Sequence, residues 1–302
     1  MSRSVLITGG GGFVGAHLAQ GLLALGHAVT ALDQAFDVPT RERLPGATII
    51  EAPLTSATLG QLEGAFDVVI HGAALTSSPE ELGLSDVEHI RINIDLLLDC
   101  LGAVLAKRVP QFVFLSSSGV FASGDGEPAF SETTVPTGTF AYALAKRCGE
   151  TLVLGAGGDR LSPLVVRLGP IYGPHETSRQ SRLMPSPVRR WMDAANSGQP
   201  IVVDAAASRR DWTYAPDLAK AIDRLVDAEV TGVIHLTSAQ IVSDLALAEM
   251  VASLVSASRI ELSKPQGCLR HPMVSTRAEL DGFAWTGLAA GLAQTFAQEA
   301  AV

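Results

Sequence analysis

Two short segments of this chain carry side chains that can move a proton and steady a developing charge. Tyr142-Ala143-Leu144-Ala145-Lys146 sets a phenol and an ammonium one helical turn apart. Phe112-Val113-Phe114-Leu115-Ser116-Ser117-Ser118 reads as a buried strand ending in three hydroxyls. A phenol ionises at about pH 10, but a neighbouring ammonium favours the phenolate, so Tyr142 becomes able to act as a base near neutral pH. Such parts suit oxidation at a carbinol carbon, in which a proton leaves the oxygen and a hydride leaves the carbon. A Tyr/Lys pair at this spacing also occurs on ordinary helices, so the reading depends on whether the chain can hold a hydride acceptor.

That acceptor has a recognisable seat. Val5-Leu6-Ile7-Thr8-Gly9-Gly10-Gly11-Gly12-Phe13-Val14-Gly15 is a strand running into a glycine turn and then a helix. Glycines at 9, 12 and 15 suit a tight turn, close backbone approach to a pyrophosphate, and close helix–strand packing, with the helix N-terminus facing the anion. The second strand ends in Asp33, 18 residues beyond Gly15, where a carboxylate can accept both ribose hydroxyls and repel a 2′-phosphate. The expected cofactor is therefore NAD, in preference to NADP; Arg41 and Arg43 are read as solvated loop charges. Oxidised nicotinamide would add its own positive charge in favour of the Tyr142 phenolate.

The bulk composition bounds the rest. Hydrophobic residues make up 47% and charged residues 18%, enough apolar surface for a large buried core in a globular, soluble protein. A formal charge of −9 argues against nucleic acid as a partner, so any anion site must be local. Cys100, Cys148 and Cys268 lie far apart with no metal-ligand spacing, and are expected as reduced structural thiols with no metal. No stretch reaches membrane-spanning length, and Val5-Leu6-Ile7 is far short of a signal-peptide core, so a cytoplasmic location away from membranes is expected.

These side chains have to be positioned by a scaffold, and the pattern specifies one. Strands are expected at Val5–Thr8, Ala28–Asp33, Ala47–Glu51, Val68–His71, Phe112–Ser116 and Leu164–Leu168, with helices near Gly15–Leu25, Val87–Lys107 and Tyr142–Leu154. That alternation predicts an α/β fold, a Rossmann-type doubly wound parallel sheet with a smaller, interleaved C-terminal substrate lobe. After Arg167, the stretch Gly169-Pro170-Ile171-Tyr172-Gly173-Pro174 followed by Arg179, Arg182, Pro185 and Pro187 reads as a long irregular loop. Pattern returns as a helix at Asp217–Val226, a strand at Val233–Leu236 and a helix at Asp244–Val255. The expected division is a cofactor domain at 1–168, with 211–240 returning to it, and a substrate lobe at 169–210 and 241–302.

With the glycine turn, Asp33, Val69-Ile70-His71-Gly72-Ala73-Ala74, Asn93, the serine-ended strand and Tyr142/Lys146 in this order, the chain resembles the extended short-chain dehydrogenases, the NAD-dependent epimerase/dehydratase family. Arg209-Arg210-Asp211-Trp212-Thr213-Tyr214-Ala215-Pro216-Asp217 and the closing Phe283-Ala284-Trp285 extend the likeness over most of the chain. The resemblance implies Tyr142 as acid/base, Lys146 as its electrostatic partner and holder of the nicotinamide ribose, and a serine as donor to the reacting oxygen. The family's strand is usually followed by Val-Tyr-Gly, matched here by Val120-Phe121-Ala122, and its catalytic hydroxyl lies four positions before the aromatic residue. That selects Ser117, with Ser118 as runner-up and a second substrate contact, while Ser116 is read as a strand-end cap. It further implies Gly9, Gly12, Phe13, Val14, Gly15, Asp33, Ala73, Ala74 and Asn93 around the cofactor, a sugar-like small-molecule substrate, and a homodimer built on the helices at Val87–Lys107 and Tyr142–Leu154.

Departures from that pattern narrow the chemistry. Ser118-Gly119 stands where sugar-nucleotide dehydratases carry Asp-Glu, which disfavours dehydration. Pro53 replaces an adenine-contacting Asp and leaves the Leu54 backbone for that contact. Pro170, and Ala205-Ala206-Ala207-Ser208 ahead of the Arg-Asp motif, weaken the case for a nucleotide substrate, whereas Arg210 falls on the family's phosphate-contacting arginine, with Arg182 a second anion candidate. The chain thus reads as an NAD-dependent oxidoreductase or epimerase acting on a sugar nucleotide or a sugar-derived substrate. The alternatives are a dehydrogenase of a free sugar acid or aldose, and an NAD-binding regulator without catalysis.

Overall fold

The computed structural model describes residues 1–255, 258–263 and 269–299; Cys268 lies outside the described residues. Six strands, β1 (Ser4–Thr8), β2 (Ala28–Asp33), β3 (Thr48–Glu51), β4 (Val68–His71), β5 (Gln111–Ser117) and β6 (Ser162–Leu168), join the strand Gly232–Leu236 in one parallel sheet. The spatial order is Gly232–Leu236, β6, β5, β4, β1, β2, β3. The chain therefore winds outward from β1 in one direction and then from β4 in the other. This reversal opens a crevice beyond the carboxyl ends of β1 and β4, where ligands bind in open sheets of this kind.

Both faces of the sheet are covered, which is why its central strands are apolar runs rather than alternating ones. All four residues of β4 are buried, as are Phe112–Ser116 of β5. On one face Leu18 and Leu22 of the helix Phe13–Ala24 pack with Leu218 and Ile222 of the helix Leu218–Asp227. On the other, Leu97, Leu101 and Val104 of the helix Asp86–Lys107 meet Val153 of the helix Ala141–Gly155. A capping box between Ser85 and Glu88 starts the longer of these two helices. A separate cluster around Tyr172, Trp191, Trp212 and Leu247 forms beyond the crevice.

The structure differs from the sequence reading chiefly in the proline-rich stretch expected as a long irregular loop. Residues 169–187 are not wholly irregular: Ile171–Tyr172 pairs in parallel with Thr213–Tyr214, and Pro187 opens a helix, Pro187–Asn196. Proline fits the first helical turn, where its missing N–H has no intrahelical partner to lose, and Ser186 supplies the cap. Likewise Ala215–Asp217 forms a 3₁₀ turn that delays the next helix to Leu218, and the helix begun at Asp244 ends at Ala252. Among the described residues no helix is long and apolar enough to cross a membrane, and no cluster of metal-ligating side chains occurs.

Candidate active site

The crevice holds a cavity of about 640 Å³ walled by the glycine turn, the end of β5, the start of the helix Ala141–Gly155, and residues 169–184, 210 and 270. At the β1 turn Gly9 has φ +74°, and a Cβ there would meet the Ala73 nitrogen at 2.7 Å. At Gly15 a Cβ would sit 2.1 Å from the Gly9 carbonyl oxygen, so only glycine lets the helix approach the turn this closely. No side chain caps the helix Phe13–Ala24, so its first-turn N–H groups and its dipole are available to an anion.

Asp33 ends β2 beside this turn, its carboxylate accepting the Gly11 N–H at 3.0 Å and the Gln34 N–H at 2.7 Å. Burial pushes its pKa up; the two N–H donors and the nearby Arg179 act against that. Arg41 is turned to Glu51 and lies over the Phe36 ring, which removes it as an obvious 2′-phosphate partner. The turn and carboxylate fit a dinucleotide: backbone N–H groups for the pyrophosphate and an acceptor for ribose hydroxyls.

At the other end the three serines have three different partners. Ser116 does not cap the strand; it donates to Glu150 at 2.6 Å because its side chain faces the core. Ser117 lies beside the Tyr142 phenol, whose pKa it works to hold down, and its Oγ accepts the Gly119 N–H at 3.0 Å. Ser118 accepts from Arg270 at 2.8 Å. Burial pushes the Tyr142 pKa up to about 12, opposed by Ser117 and by Arg182.

Lys146 donates to the Leu115 carbonyl at 2.7 Å and lies 5.7 Å from the centre of the Tyr142 ring. Burial pushes its pKa down to about 8, against the pull of Glu150. Glu150 is one helical turn further on and forms a buried pair with Arg167 at 2.7 Å. This pair ties the helix that carries Tyr142 to β6, the neighbour of β5 in the sheet. Opening such a pair by truncating one partner costs about 3–5 kcal/mol.

The remaining residues singled out in the sequence are placed as follows. Ala74, Phe13 and Val14 line the cavity. Asn93 spends its amide on the loop after β4: its oxygen accepts the Leu75 N–H at 2.9 Å and its nitrogen donates to the Leu75 carbonyl at 3.3 Å. It thereby holds the Ala73–Leu75 backbone beside the glycine turn. Leu54 packs against the core cluster on the second face of the sheet and is not part of the cavity wall.

Arg182 and Arg210 both line the cavity, but neither is a bare charge. Arg182 pairs with the buried Glu176 at 2.7 Å, and Arg210 grips Asp244 through Nε and Nη2. Sequence reasoning missed Arg270, Glu150, Glu176 and Asp244. Of these only Glu150 left a signal, its spacing of four from Lys146.

Residues 5–236 match the NAD dependent epimerase/dehydratase family. The chain is 32% identical over 244 residues to the UDP-N-acetyl-alpha-D-glucosaminuronate decarboxylase of Bacillus cytotoxicus, spanning 77% of this chain and 74% of that one. It is 26% identical over 313 residues to the dTDP-4-dehydro-6-deoxy-D-allose reductase of a Streptomyces species, covering 97% and 95% of the two chains. The solved UDP-glucose 4-epimerase of Thermotoga maritima superposes with a TM-score of 0.86 at 19% identity over 99% of both chains, a likeness of fold. With the glycine turn, Asp33 and the doubly wound sheet in place, the chain belongs to the NAD-dependent epimerase/dehydratase family, its enzymes of the extended short-chain dehydrogenase type, with NAD as cofactor.

Proposed function

We propose that this protein exchanges a hydride with a carbinol carbon of a sugar nucleotide in an epimerase-type, redox-neutral cycle. The observation that carries the reading is the convergence of Ser117, Tyr142 and Lys146, with Lys146 against the Tyr142 ring, at the end of a cavity whose other wall is the dinucleotide turn. NAD, when bound, accepts the hydride and can return it. Gly9, Gly12, Phe13, Val14, Gly15, Asp33, Ala73 and Ala74 hold it, and Asn93 positions the last two. Tyr142 takes the hydroxyl proton, Lys146 favours the phenolate through its charge, and Ser117 donates to the substrate oxygen as that oxygen gains charge. The family relatives named for UDP- and dTDP-linked sugars support the nucleotide, with Arg182 and Arg210 as its anion contacts.

In this reading residues 1–168, with 211–240, form the cofactor domain, and 169–210 with 241–302 the substrate lobe. The helices Asp86–Lys107 and Ala141–Gly155 expose Leu98, Leu105, Leu152 and Leu154, which suits a two-fold homodimer. A monomer at micromolar concentration in sedimentation would remove that part.

One observation favours a second reading, a dehydrogenase of a free sugar acid or aldose: Glu176 and Asp244 neutralise the two arginines best placed for a diphosphate. Thermal shift with UDP on the NAD-loaded protein separates the two. A clear stabilisation supports the sugar nucleotide; no shift, together with NADH accumulating on a free sugar acid, supports the dehydrogenase.

A further inference from the structure

Residues 174–184 span the carboxyl edge of the sheet and are tied to it at three places. His17, on the helix that follows β1, hydrogen-bonds through Nε2 to the Pro174 carbonyl at 2.9 Å. Arg179 Nη2 donates to Asp37 Oδ2 at 2.6 Å and to Thr40 Oγ1 at 3.1 Å, both beyond β2. The Ser181 carbonyl accepts the Thr76 N–H at 2.9 Å, and the Leu183 N–H donates to Ser77 Oγ at 2.7 Å, both beyond β4. Arg179 and Arg182 exchange backbone hydrogen bonds at 2.8 and 2.9 Å, so Gln180 and Ser181 form the tip of a tight hairpin. The segment is entered through His175 at φ +64°, a left-handed conformation that residues other than glycine seldom adopt.

Thr177, Arg179 and Ser181 line the same cavity as the glycine turn. Arg179 also lies near enough to Asp33 to favour its charged form, which puts the tie to Asp37 at the end of the site meant for the ribose. The Asp37 carboxylate is oriented for this tie. Its Oδ1 accepts the Thr40 N–H at 2.8 Å as the cap of the helix Val38–Glu42, which leaves Oδ2 for Arg179. The ties at Pro174 and Ser181 use backbone carbonyls of the segment, whereas the tie at Asp37 depends on the Arg179 side chain.

We infer that Arg179 retains the cofactor: residues 174–184 form a strap over the adenosine end of the NAD site, latched by the Arg179–Asp37 pair, and NAD leaves only when that latch opens. The pair is partly exposed, with side chains 21% and 42% accessible, so it holds weakly enough to open during exchange. Arg179 is thus a positioning residue for the strap, and its role holds whichever sugar is converted.

The test loads the protein with NADH, chases with excess NAD and follows the loss of bound-NADH fluorescence. Asp37→Asn, which keeps a capping side chain, and Arg179→Gln should each release NADH about three- to fivefold faster than the wild type, the range that one partly exposed ion pair supplies. The double variant should be no faster than either single one, because both remove the same contact. Arg3→Gln serves as the control: it loses pairs with Asp223 and Asp227 at the amino edge of the sheet and should release NADH at the wild-type rate. Unchanged release in both single variants overturns the inference. So does equal acceleration by Arg3→Gln, since general loosening of the fold would then explain the effect, and so do effects that multiply in the double variant. Arg179→Lys, which keeps a charge for Asp37, should release NADH more slowly than Arg179→Gln; identical release by the two would show that the pair is not the latch.

Discussion

The two ends of the cavity recognise their ligands by different physical means. The cofactor end is built from backbone: a glycine turn, an uncapped helix N-terminus and one carboxylate, all within the first 33 residues. The substrate end is built from long charged side chains on separate segments, with Arg182 balanced by Glu176 and Arg210 by Asp244. Backbone donors fixed by secondary structure cannot be retuned by a point substitution without disturbing the turn. Paired side chains can be exchanged one at a time, which lets one scaffold serve many substrates. The difference teaches that the cofactor end is set by local geometry, whereas the far end depends on how charged side chains from separate segments are balanced against one another.

Substitutions that break this contrast differ in size. Gly15→Val should have the largest effect, because its side chain would enter the Gly9 carbonyl: NAD binding is lost in titration, and stability falls by about 1–3 kcal/mol. An unchanged NAD affinity would show that the turn has room to move. Next comes Ser117→Ala, expected to depress kcat by about 10²–10³ while NAD binding stays intact. Ser118→Ala should cost less than tenfold in kcat, since its hydroxyl serves Arg270 rather than Tyr142. The reverse order of the two serines would move the donor role to Ser118.

Asp33→Ser sharpens the cofactor side. Removing the carboxylate should narrow the preference for NAD over NADP by about tenfold or more, read from titration of both cofactors. Tighter NADP binding by the wild type would contradict the role given to Asp33.

The smallest effect concerns acid stability. His17 and His71 are buried and neutral, burial pushing both pKa values down to about 3, with Arg43 and Lys146 respectively adding to it. Below about pH 6.5 the unfolded chain takes up two protons at these sites that the folded chain does not. Asp211 works in the opposite sense, because burial raises it to about 6 and the folded chain keeps a proton there that the unfolded chain releases above about pH 4. At these three sites a net uptake of about one proton remains on unfolding, a contribution that lowers stability by about 1.4 kcal/mol per pH unit from pH 6 toward pH 4; lowered His235 and Glu132 act in the same sense and raised Asp33 against it. Denaturant titrations at pH 6 and pH 5 check this; a flat or rising stability would contradict it.

The same contrast decides what the sequence could tell. The bounds of β2 and β4 and the place of the glycine turn are legible because each is set within a few neighbouring residues. Ser117 is reached only through the resemblance, by counting four positions back from Phe121. Arg270, Glu176 and Asp244 are not legible, since no periodicity ties residue 270 to 118 or residue 176 to 182 across the fold. The helix at Pro187 is hard to read because proline is as common in loops as at the first turn of a helix, and the Ser186 cap is the local signal for the helix.

In the proposed function Tyr142 moves the proton while the glycine turn, at the opposite end of the cavity, holds the cofactor. The most direct test is Tyr142→Phe, assayed for turnover of whichever UDP-sugar the wild-type protein converts and, separately, for NAD affinity. Turnover should fall by about 10²–10⁴ with the NAD dissociation constant unchanged. Turnover that persists near the wild-type rate would contradict the claim.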